Sequence, residues 1–195
     1  MTVSDEAAPP MPLSAPLEVT IESVIDEHAE DFYRLYLDAF EPLRTKSAAR
    51  HVLHRDEFMG DMQDPRVFKY VGWSSGRPVA LATMTNHLET VPWISPEYFR
   101  HRYPDHAARG AIYYLGFTLV HPTNDTPRAL EQMVAVGVQR LVEARAVCAF
   151  DVCAYNDVSR RFTARMTEML HRLADVTVDH LDSQRYYSAT FHRGS

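Results

Sequence analysis

Two side chains capable of acid–base chemistry, Tyr114 and Asp151, lie within apolar runs of the sequence. Tyr114 belongs to the run 111–120, whose aromatic and β-branched residues predict a buried strand. Asp151 lies in the middle of a second apolar stretch, 146–155, which predicts another strand. A carboxylate within an apolar strand loses hydration, so Asp151 is either a catalytic base or a partner for a nearby Arg or Tyr in the core. Tyr114 shares a strand face with Thr118 by parity, and is either an acid or substrate contact or a packed tyrosine with a satisfied hydroxyl.

A helix is predicted to follow the strand 111–120 through a short polar turn. Thr126-Pro127 places a capping residue before a proline at the first helical position, and apolar residues recur at helical spacing after Arg128. The unpaired N–H groups and the dipole at such a helix start can hold an anion such as a pyrophosphate. A protonated His121 and the fork-shaped guanidinium of Arg128 are the candidate contacts; an exposed His-Pro turn and a solvated arginine are the alternatives. The whole β–α unit can equally be structural, with nothing bound.

A metal site is considered at His51 and His54, which lie three residues apart on a predicted helix, with Asp56 and Glu57 close by. The sequence offers neither a His-Glu-x-x-His pattern nor a third ligand, so an exposed polar helix face is the favoured interpretation and no metal is predicted. The serine-nucleophile elbow, the P-loop and the G-x-G-x-x-G fingerprint are also missing from the sequence. Serine-hydrolase and nucleotide-binding functions therefore have no support.

The composition is that of a globular protein, with 46% hydrophobic and 24% charged residues. We expect one domain, 17–195, after a Pro-, Ala- and Ser-rich tail, 1–16, that is expected to be disordered. A net charge of −6 without a Lys/Arg stripe argues against a nucleic-acid partner. No apolar run reaches the length of a membrane span and no secretory signal is evident, so no membrane partner is predicted. Cys148 and Cys153 have an odd spacing within one predicted strand, which places them on opposite faces without a disulfide and fits a cytoplasmic location.

The rest of the chain alternates between strand and helix patterns. Gly116 inside the run 111–120 predicts a β-bulge or a close backbone approach. The aperiodic segment 87–110 contains a short helix starting at Ser95-Pro96, and its aromatic residues predict an ordered lid or substrate wall, with a packed surface loop as the alternative. The other predicted elements are strand 17–25, a helix from Asp26 or His28 to about Leu43, helix 47–59, a hairpin of strands 67–73 and 78–85, helix 159–173, and paired strands 176–181 and 184–191.

Three segments resemble conserved parts of one protein family. The hairpin at 67–85, the sequence Leu119-Val120-His121-Pro122 and the stretch 151–161 resemble, in order and spacing, elements of the GNAT superfamily of acyl-CoA N-acyltransferases. The second segment looks like the V-x-P that ends the family's fourth strand. The third looks like the fifth strand followed by the Asn of N-x-x-A, which falls on Asn156. The resemblance covers roughly Leu17 to Phe191.

The resemblance implies an α/β fold of the α+β type: a mixed, mostly antiparallel twisted sheet with helices on both faces and a splayed central strand pair. The thioester of acetyl-CoA or another acyl-CoA would enter between the splayed fourth and fifth strands, where a backbone amide near Leu119 would polarise its carbonyl. Asn156 would contact the pantetheine arm or, alternatively, cap the following helix. Asp151 would serve as base and Tyr114 as acid. The implied cofactor-binding residues are Leu119, Val120, His121, Thr126, Arg128 and Asn156.

Two departures from the family pattern leave the function open. The family's pyrophosphate loop, Q/R-x-x-G-x-G/A, corresponds here to 123–129, which contains no glycine; Asp125 adds negative charge and Pro127 removes a donor. The family's frequent tyrosine acid falls on Thr163. We therefore expect either an acyltransferase or a catalytically inactive GNAT-fold module that binds a ligand or a protein. The partners considered are a small-molecule amine or a protein as acceptor, an acyl-carrier protein as alternative donor, and a second copy in a homodimer.

Overall fold

A computed structural model describes residues 17–121 and 126–193. Its strands form one five-stranded sheet in the order β1-β2-β3-β4-β5, antiparallel except for the parallel pair β4–β5. The mixed sheet expected from the sequence is confirmed. The elements are β1 Glu18–Glu22, α1 Ala29–Phe40, a 3-10 helix Glu41–Thr45, α2 Arg55–Gln63, β2 Val67–Ser74, β3 Arg77–Thr85, a 3-10 helix Leu88–Thr90, α3 Pro96–Arg102, α4 Pro104–Ala107, β4 Ile112–Val120, α5 Thr126–Glu143, β5 Val147–Ala149, a π-helix Tyr155–Ser159 and α6 Phe162–Leu173.

Helices cover both faces of the sheet. On one face α1 and α2 pack through an aromatic cluster in which Tyr36, Phe58 and Phe117 have ring centroids 5.1 to 6.0 Å apart. On the other face Met133 of α5 packs against Tyr113 of β4. The two free cysteines lie on opposite faces of the sheet, as predicted: Cys148 is in the core beside α5 and Cys153 is in the core beside α1. Cys153, however, follows the end of β5 and is not part of that strand. No helix in the described part of the chain has the length and apolarity needed to cross a membrane.

The predicted hairpin is confirmed. β2 and β3 are joined by Ser75 and Gly76, whose φ angles of 50° and 72° suit a two-residue turn with the twist of the flanking strands. The predicted helix start at Ser95-Pro96 is also confirmed, because the Ser95 hydroxyl accepts the Tyr98 N–H at 3.3 Å.

A β-bulge interrupts β4 at Gly116, as the sequence predicted. Thr83 pairs with Phe117 and the next residue of β3 pairs with Leu115, so Gly116 has no opposite residue. A Cβ at Gly116 would lie 2.6 Å from Thr83 Oγ1, a distance that side chains cannot tolerate. Glycine is therefore required by the close approach of the Thr83 side chain.

The bulge reverses the side-chain alternation along β4. Tyr113 faces α5, so Tyr114 faces the opposite side of the sheet. Past the bulge, Phe117 packs on α2, which puts Thr118 on the α5 face. The prediction that Tyr114 and Thr118 share a face is therefore wrong, since the extra residue shifts the parity by one. Tyr114 instead shares a face with Phe117 and Leu119.

Several boundaries differ from those predicted, including those of the strand expected over 17–25, which spans Glu18–Glu22, and of the following helix, which ends at Phe40. The helix expected over 47–59 begins only at Arg55, because His54 is extended, with ψ 159°, and its N–H is taken by the Glu57 carboxylate at 2.7 Å. The fifth strand, expected over 146–155, is limited to Val147–Ala149. The helix expected from residue 159 begins at Phe162, after the π-helix.

The prediction of paired terminal strands at 176–181 and 184–191 is wrong for the described residues. Residues 174–193 contain no strand, because β-propensity produces a strand only where a neighbouring edge supplies ladder hydrogen bonds. The segment 176–181 contacts the rest of the domain without joining the sheet, since some of its apolar side chains are half-buried: Val176, Val178 and Leu181.

The bulge gives a direct test of packing. Gly116→Ala should destabilise the protein by about 1 to 3 kcal/mol, because the new methyl group meets Thr83 Oγ1. In a Thr83→Ala background the same change should cost about 1 kcal/mol less, since the colliding oxygen is gone. Urea unfolding of the four proteins gives the double-mutant cycle. Equal costs of Gly116→Ala in both backgrounds would contradict the close approach.

Candidate active site

The structure brings Tyr114 and Asp151 together. The Tyr114 hydroxyl donates to Asp151 Oδ1 at 2.5 Å, and the Trp93 indole N–H donates to the same oxygen at 3.3 Å. Asp151 lies two residues beyond β5 and its side chain is 44% exposed. Its predicted place within a strand is therefore wrong: β5 is too short to contain Asp151, which lies at the end of the sheet where solvent reaches it.

The strand pair β4–β5 opens at this point. The ladder ends at the pair Tyr114–Ala149, whereas β4 continues to Val120, so the expected splayed pair is confirmed. His121 N–H donates to Val79 O of β3 at 2.7 Å. Because successive N–H groups of a strand alternate in direction, the Val120 N–H points away from β3, toward the opening. Leu119 is 4% exposed, and its side chain contributes to the α1-side core.

The aromatic segment between β3 and β4 forms one wall of the opening. Val91 and Phe99 are buried in a small core with Tyr114, and the Phe99 and Tyr114 rings meet edge to face at 6.1 Å. Trp93 is 48% exposed and reaches Asp151 from this wall. The segment is ordered by packing, and its exposed indole borders the candidate site.

Burial raises the pKa of Tyr114 above its ordinary value, and the nearby Asp151 carboxylate raises it further. Tyr114 therefore keeps its proton at neutral pH and donates it in the hydrogen bond to Asp151. A phenol that holds its proton this strongly is a poor acid for a departing thiolate, whose conjugate acid has a pKa of about 8.5. This argues for Tyr114 as a residue that orients Asp151.

His51, which sequence reasoning assigned to an exposed helix face, lies beside the carboxylate. Its Nδ1 is 4.0 Å from Asp151 Oδ2 and its side chain is 21% exposed. Buried Tyr36 holds this loop, since its hydroxyl donates to the His51 carbonyl at 3.1 Å and accepts the Leu53 N–H at 3.0 Å. No sequence pattern links His51 to a residue that follows it by 100 positions. Within the described residues no group of three or more His, Cys, Asp or Glu side chains is placed to hold a metal.

A second tyrosine, Tyr155, follows β5 in the π-helix. Lys46 Nζ donates to the Tyr155 hydroxyl at 3.0 Å, and this hydrogen bond lowers the pKa of Tyr155. The Tyr155 ring packs against the same core as Phe117 of β4. No sequence pattern identified this residue, because its partner Lys46 follows the 3-10 helix Glu41–Thr45 and is distant along the chain. At the position suggested by the family pattern, the Thr163 N–H donates to Asp157 Oδ1 at 3.3 Å within the start of α6.

The predicted phosphate contacts are only partly described. His121 is half-buried and Arg128 is exposed on the first turn of α5. The structure describes neither residues 122–125 nor the side chain of Thr126. Most of the glycine-free loop 123–129 therefore lies outside the described residues. Asn156 is half-buried within the π-helix, where helix capping does not apply to it; Asp157 supplies the contact at the start of α6.

Two adjoining grooves lie beside the site. One, of about 590 Å³, runs between α1 and the 3-10 helix after it and includes Tyr33, Asp38 and Glu41. The other, of about 350 Å³, reaches His51. Both grooves include Arg44, and neither is lined by Asp151, Tyr114 or Trp93.

The contrast between the two tyrosines can be measured. Tyr114 should ionise at a higher pH than an ordinary tyrosine, because burial and Asp151 both raise its pKa, whereas Tyr155 should ionise at a lower pH, because Lys46 lowers its pKa. Carbon-13 NMR of tyrosine Cζ across pH 7 to 11, with signals assigned by Tyr114→Phe and Tyr155→Phe, provides the measurement. A Tyr114 signal that titrates before that of Tyr155 would contradict the described contacts.

Solved structures similar to this chain are N-acetyltransferases. An aminoglycoside acetyltransferase from an uncultured soil metagenomic sample, in complex with sisomicin, matches with a TM-score of 0.52 and 11% identity over 89% of this chain and 97% of the other. The ribosomal-protein-alanine N-acetyltransferase of Brucella melitensis biovar Abortus 2308 matches with a TM-score of 0.52 and 10% identity, over 88% and 99%. AAC(6')-Iy bound to a bisubstrate analogue, CoA-S-monomethyl-acetylneamine, matches with a TM-score of 0.51 and 12% identity, over 89% and 100%.

Comparison of the sequence alone finds neither a matching protein-family signature nor a matching curated protein. At these identities the structural likeness establishes the fold. The mixed, mostly antiparallel sheet and the opening between β4 and β5 are those that the family resemblance implied. This chain has the GNAT fold.

Proposed function

We propose that this protein transfers an acyl group from a CoA thioester to an amine. The observation that carries the proposal is the opening between β4 and β5, with the half-exposed Asp151 carboxylate at its mouth. Asp151 has the tyrosine partner that a structural role predicts, but its side chain is also half-exposed, with Oδ2 beside the His51 imidazole and without an arginine or lysine partner among the described contacts.

The donor would bind along the free edge of β4. Pantetheine is an extended chain carrying amides, and it can pair with a strand edge as an added strand does. The Val120 N–H would then lie where the thioester carbonyl develops negative charge. Arg128 and the start of α5 are suited to the pyrophosphate, with His121 and Thr126 next to them, and Asn156 would contact the arm from the β5 side.

Asp151 would act as the base. Its Oδ1 accepts from Tyr114 and Trp93, which leaves Oδ2 to receive a proton from an acceptor ammonium group. The freed amine nitrogen would attack the thioester carbon, the C–S bond would break, and the nitrogen would lose its second proton to solvent, so that the products would be a neutral amide and a CoA thiolate. His51, beside Oδ2, would accept the proton from Asp151 and release it to solvent.

Tyr155 would protonate the thiolate. Its pKa is lowered by the Lys46 ammonium, so its proton is more readily transferred than that of Tyr114. It stands on the β5 side of the opening and packs against the same core as β4. We therefore assign the acid role, expected of Tyr114, to Tyr155, and a positioning role to Tyr114.

The acceptor would be a small amine or the amino group of a protein. The exposed face of Trp93 and the Asp151 carboxylate suit an ammonium group, through cation–π and ionic attraction. An acyl-carrier protein is the alternative donor if the loop 123–129 does not bind CoA. An inactive module is not favoured, because it would not need a carboxylate exposed at the mouth of the opening.

Donor binding is tested by calorimetric titration of the full chain with acetyl-CoA and with a longer acyl-CoA. We expect saturable micromolar binding, weakened about tenfold by Arg128→Ala through loss of a charged phosphate contact. The control is Arg165→Ala, which removes another exposed arginine from α6 and should change nothing. No binding of either thioester would contradict a free-CoA donor and direct the search to carrier proteins.

Catalysis is tested with a panel of amine acceptors. Asp151→Asn should lower kcat/KM about 10² to 10⁴-fold, and Tyr155→Phe should lower kcat about tenfold with little change in KM. The control is Tyr113→Phe, which changes a tyrosine on the opposite face of β4 from Tyr114 and should leave kcat/KM unchanged. Full activity in Asp151→Asn would rule out the proposed base.

A further inference from the structure

Two positively charged side chains, Lys46 and Arg160, meet at Tyr155 and are here called the cation pair. Lys46 Nζ donates to the Tyr155 hydroxyl at 3.0 Å and lies 4.6 Å from the centre of the ring. The guanidinium carbon of Arg160 lies 6.0 Å from the same centre. The hydrogen bond from Lys46 is the main cause that lowers the pKa of Tyr155, and Arg160 lowers it further, so both charges act on one phenol oxygen.

The cation pair has no carboxylate counter-ion among the residues that the structure describes. By contrast, Arg44, two residues before Lys46, forms an ion pair with Glu41 at 2.9 Å. Two like charges that converge on one neutral oxygen repel each other, and an anion placed between them removes this repulsion. In a chain with a net charge of −6, such a pair indicates a site for an anion that the protein does not itself supply.

The two segments that carry the cation pair and its tyrosine also carry the candidate catalytic groups. Lys46 and His51 belong to the loop that precedes α2, and Asp151 and Tyr155 belong to the segment that follows β5. The two segments touch twice: Lys46 contacts Tyr155, and His51 Nδ1 lies 4.0 Å from Asp151 Oδ2. The cation pair and the proposed base therefore lie at the two ends of one short interface.

The length of this interface suits one small molecule. Asp151 and Tyr155 are four residues apart, so their Cα atoms are separated by at most about 14 Å, and by less because the chain begins a helix at Tyr155. An amine that carries an acidic group a few bonds away can therefore contact the Asp151 carboxylate and the cation pair at the same time.

The position of Tyr155 separates the cation pair from the proposed binding place of the donor's pyrophosphate. Tyr155 packs against the core on the α1 side of the sheet, which contains Tyr36. The pyrophosphate is assigned to the start of α5, and α5 covers the opposite side of the sheet, where its Met133 is buried. An anion at the cation pair therefore fits the acceptor better than the donor.

We propose that the acceptor is an amine that also carries a carboxylate or phosphate group, which Lys46 and Arg160 bind while Asp151 receives the ammonium group. This inference rests on the acyl transfer proposed above and names the class of its acceptor. A lysine ammonium has three N–H groups, so Lys46 keeps two for an anion after its contact with Tyr155. The arginine fork matches two oxygens of a carboxylate or phosphate. A plain alkylamine fills only the end at Asp151 and is the poorer acceptor.

The first experiment compares acid-bearing amines with amines that lack the acidic group, at saturating acetyl-CoA. The pairs are glycine and methylamine, β-alanine and ethylamine, γ-aminobutyrate and propylamine, and aminoethyl phosphate and ethanolamine. In at least one pair the acid-bearing amine should have a kcat/KM about 100-fold higher, and Arg160→Met should reduce this ratio about tenfold. The ratio cancels effects of the substitution on Tyr155, because both amines of a pair share them. The control Arg165→Met removes another exposed arginine, on α6, and should leave the ratio unchanged.

Three results of this comparison would overturn the proposal. The first is a ratio near one in all four pairs, and the second is a ratio that Arg160→Met leaves unchanged. The third is a loss of acetyl-CoA affinity in Arg160→Met, measured by calorimetric titration, because the cation pair would then bind the donor.

A second experiment does not depend on acyl transfer. Carbon-13 NMR of Tyr155 Cζ follows its ionisation while inorganic phosphate replaces sodium chloride at constant ionic strength. A phosphate ion held by the cation pair offsets its charge, so the pKa of Tyr155 should rise toward its ordinary value, and Arg160→Met should require about tenfold more phosphate for the same rise. A rise in a protein that acetylates no amine would support the anion site and contradict the acyl transfer. No rise beyond that in chloride would overturn the anion site itself.

Discussion

The candidate site depends on the point at which the β4–β5 ladder stops. Up to Tyr114 and Ala149 the two strands share hydrogen bonds, and beyond them β4 continues without β5. The bulge at Gly116 lies just past this point and shifts by one residue the alternation of side chains between the two faces of β4. Together they create an opening with a free strand edge on one side and place the Tyr114 hydroxyl at its start. Both follow from local backbone constraints, a three-residue β5 and a glycine pressed against Thr83.

Around this opening, charged and polar groups are held by packing and not by ion pairs. Asp151 is oriented by the buried hydroxyl of Tyr114, which aromatic and aliphatic neighbours hold in place, and by the half-exposed indole of Trp93. Neutral donors do not cancel the negative charge of a carboxylate, whereas an arginine partner would. A carboxylate in this state can attract and deprotonate a cationic acceptor, which is why its environment supports a catalytic role.

The two tyrosines near the opening illustrate how the environment divides chemical roles. Tyr114 is buried beside a negative charge, so its proton is held, whereas Tyr155 is near Lys46, so its proton is released more easily. Identical side chains on the two sides of one opening therefore differ in acidity because of burial and neighbouring charge alone. Sequence patterns place tyrosines, but they do not reveal which of them has a cation beside it.

The sequence by itself determined the order of the main elements as far as α6, the β2–β3 hairpin and the bulge at Gly116, since each depends on local periodicity, turn residues or a single glycine. The general fold followed from the family resemblance of three segments in order and spacing. The sequence also singled out Tyr114 and Asp151, because polar side chains in apolar runs are conspicuous. Only the tertiary structure decided that Thr118 faces away from Tyr114, that His51 and Trp93 reach Asp151, and that the C-terminal residues 174–193 remain outside the sheet. These contacts join residues distant along the chain, and strand formation at the terminus requires a neighbouring edge that propensity alone does not supply.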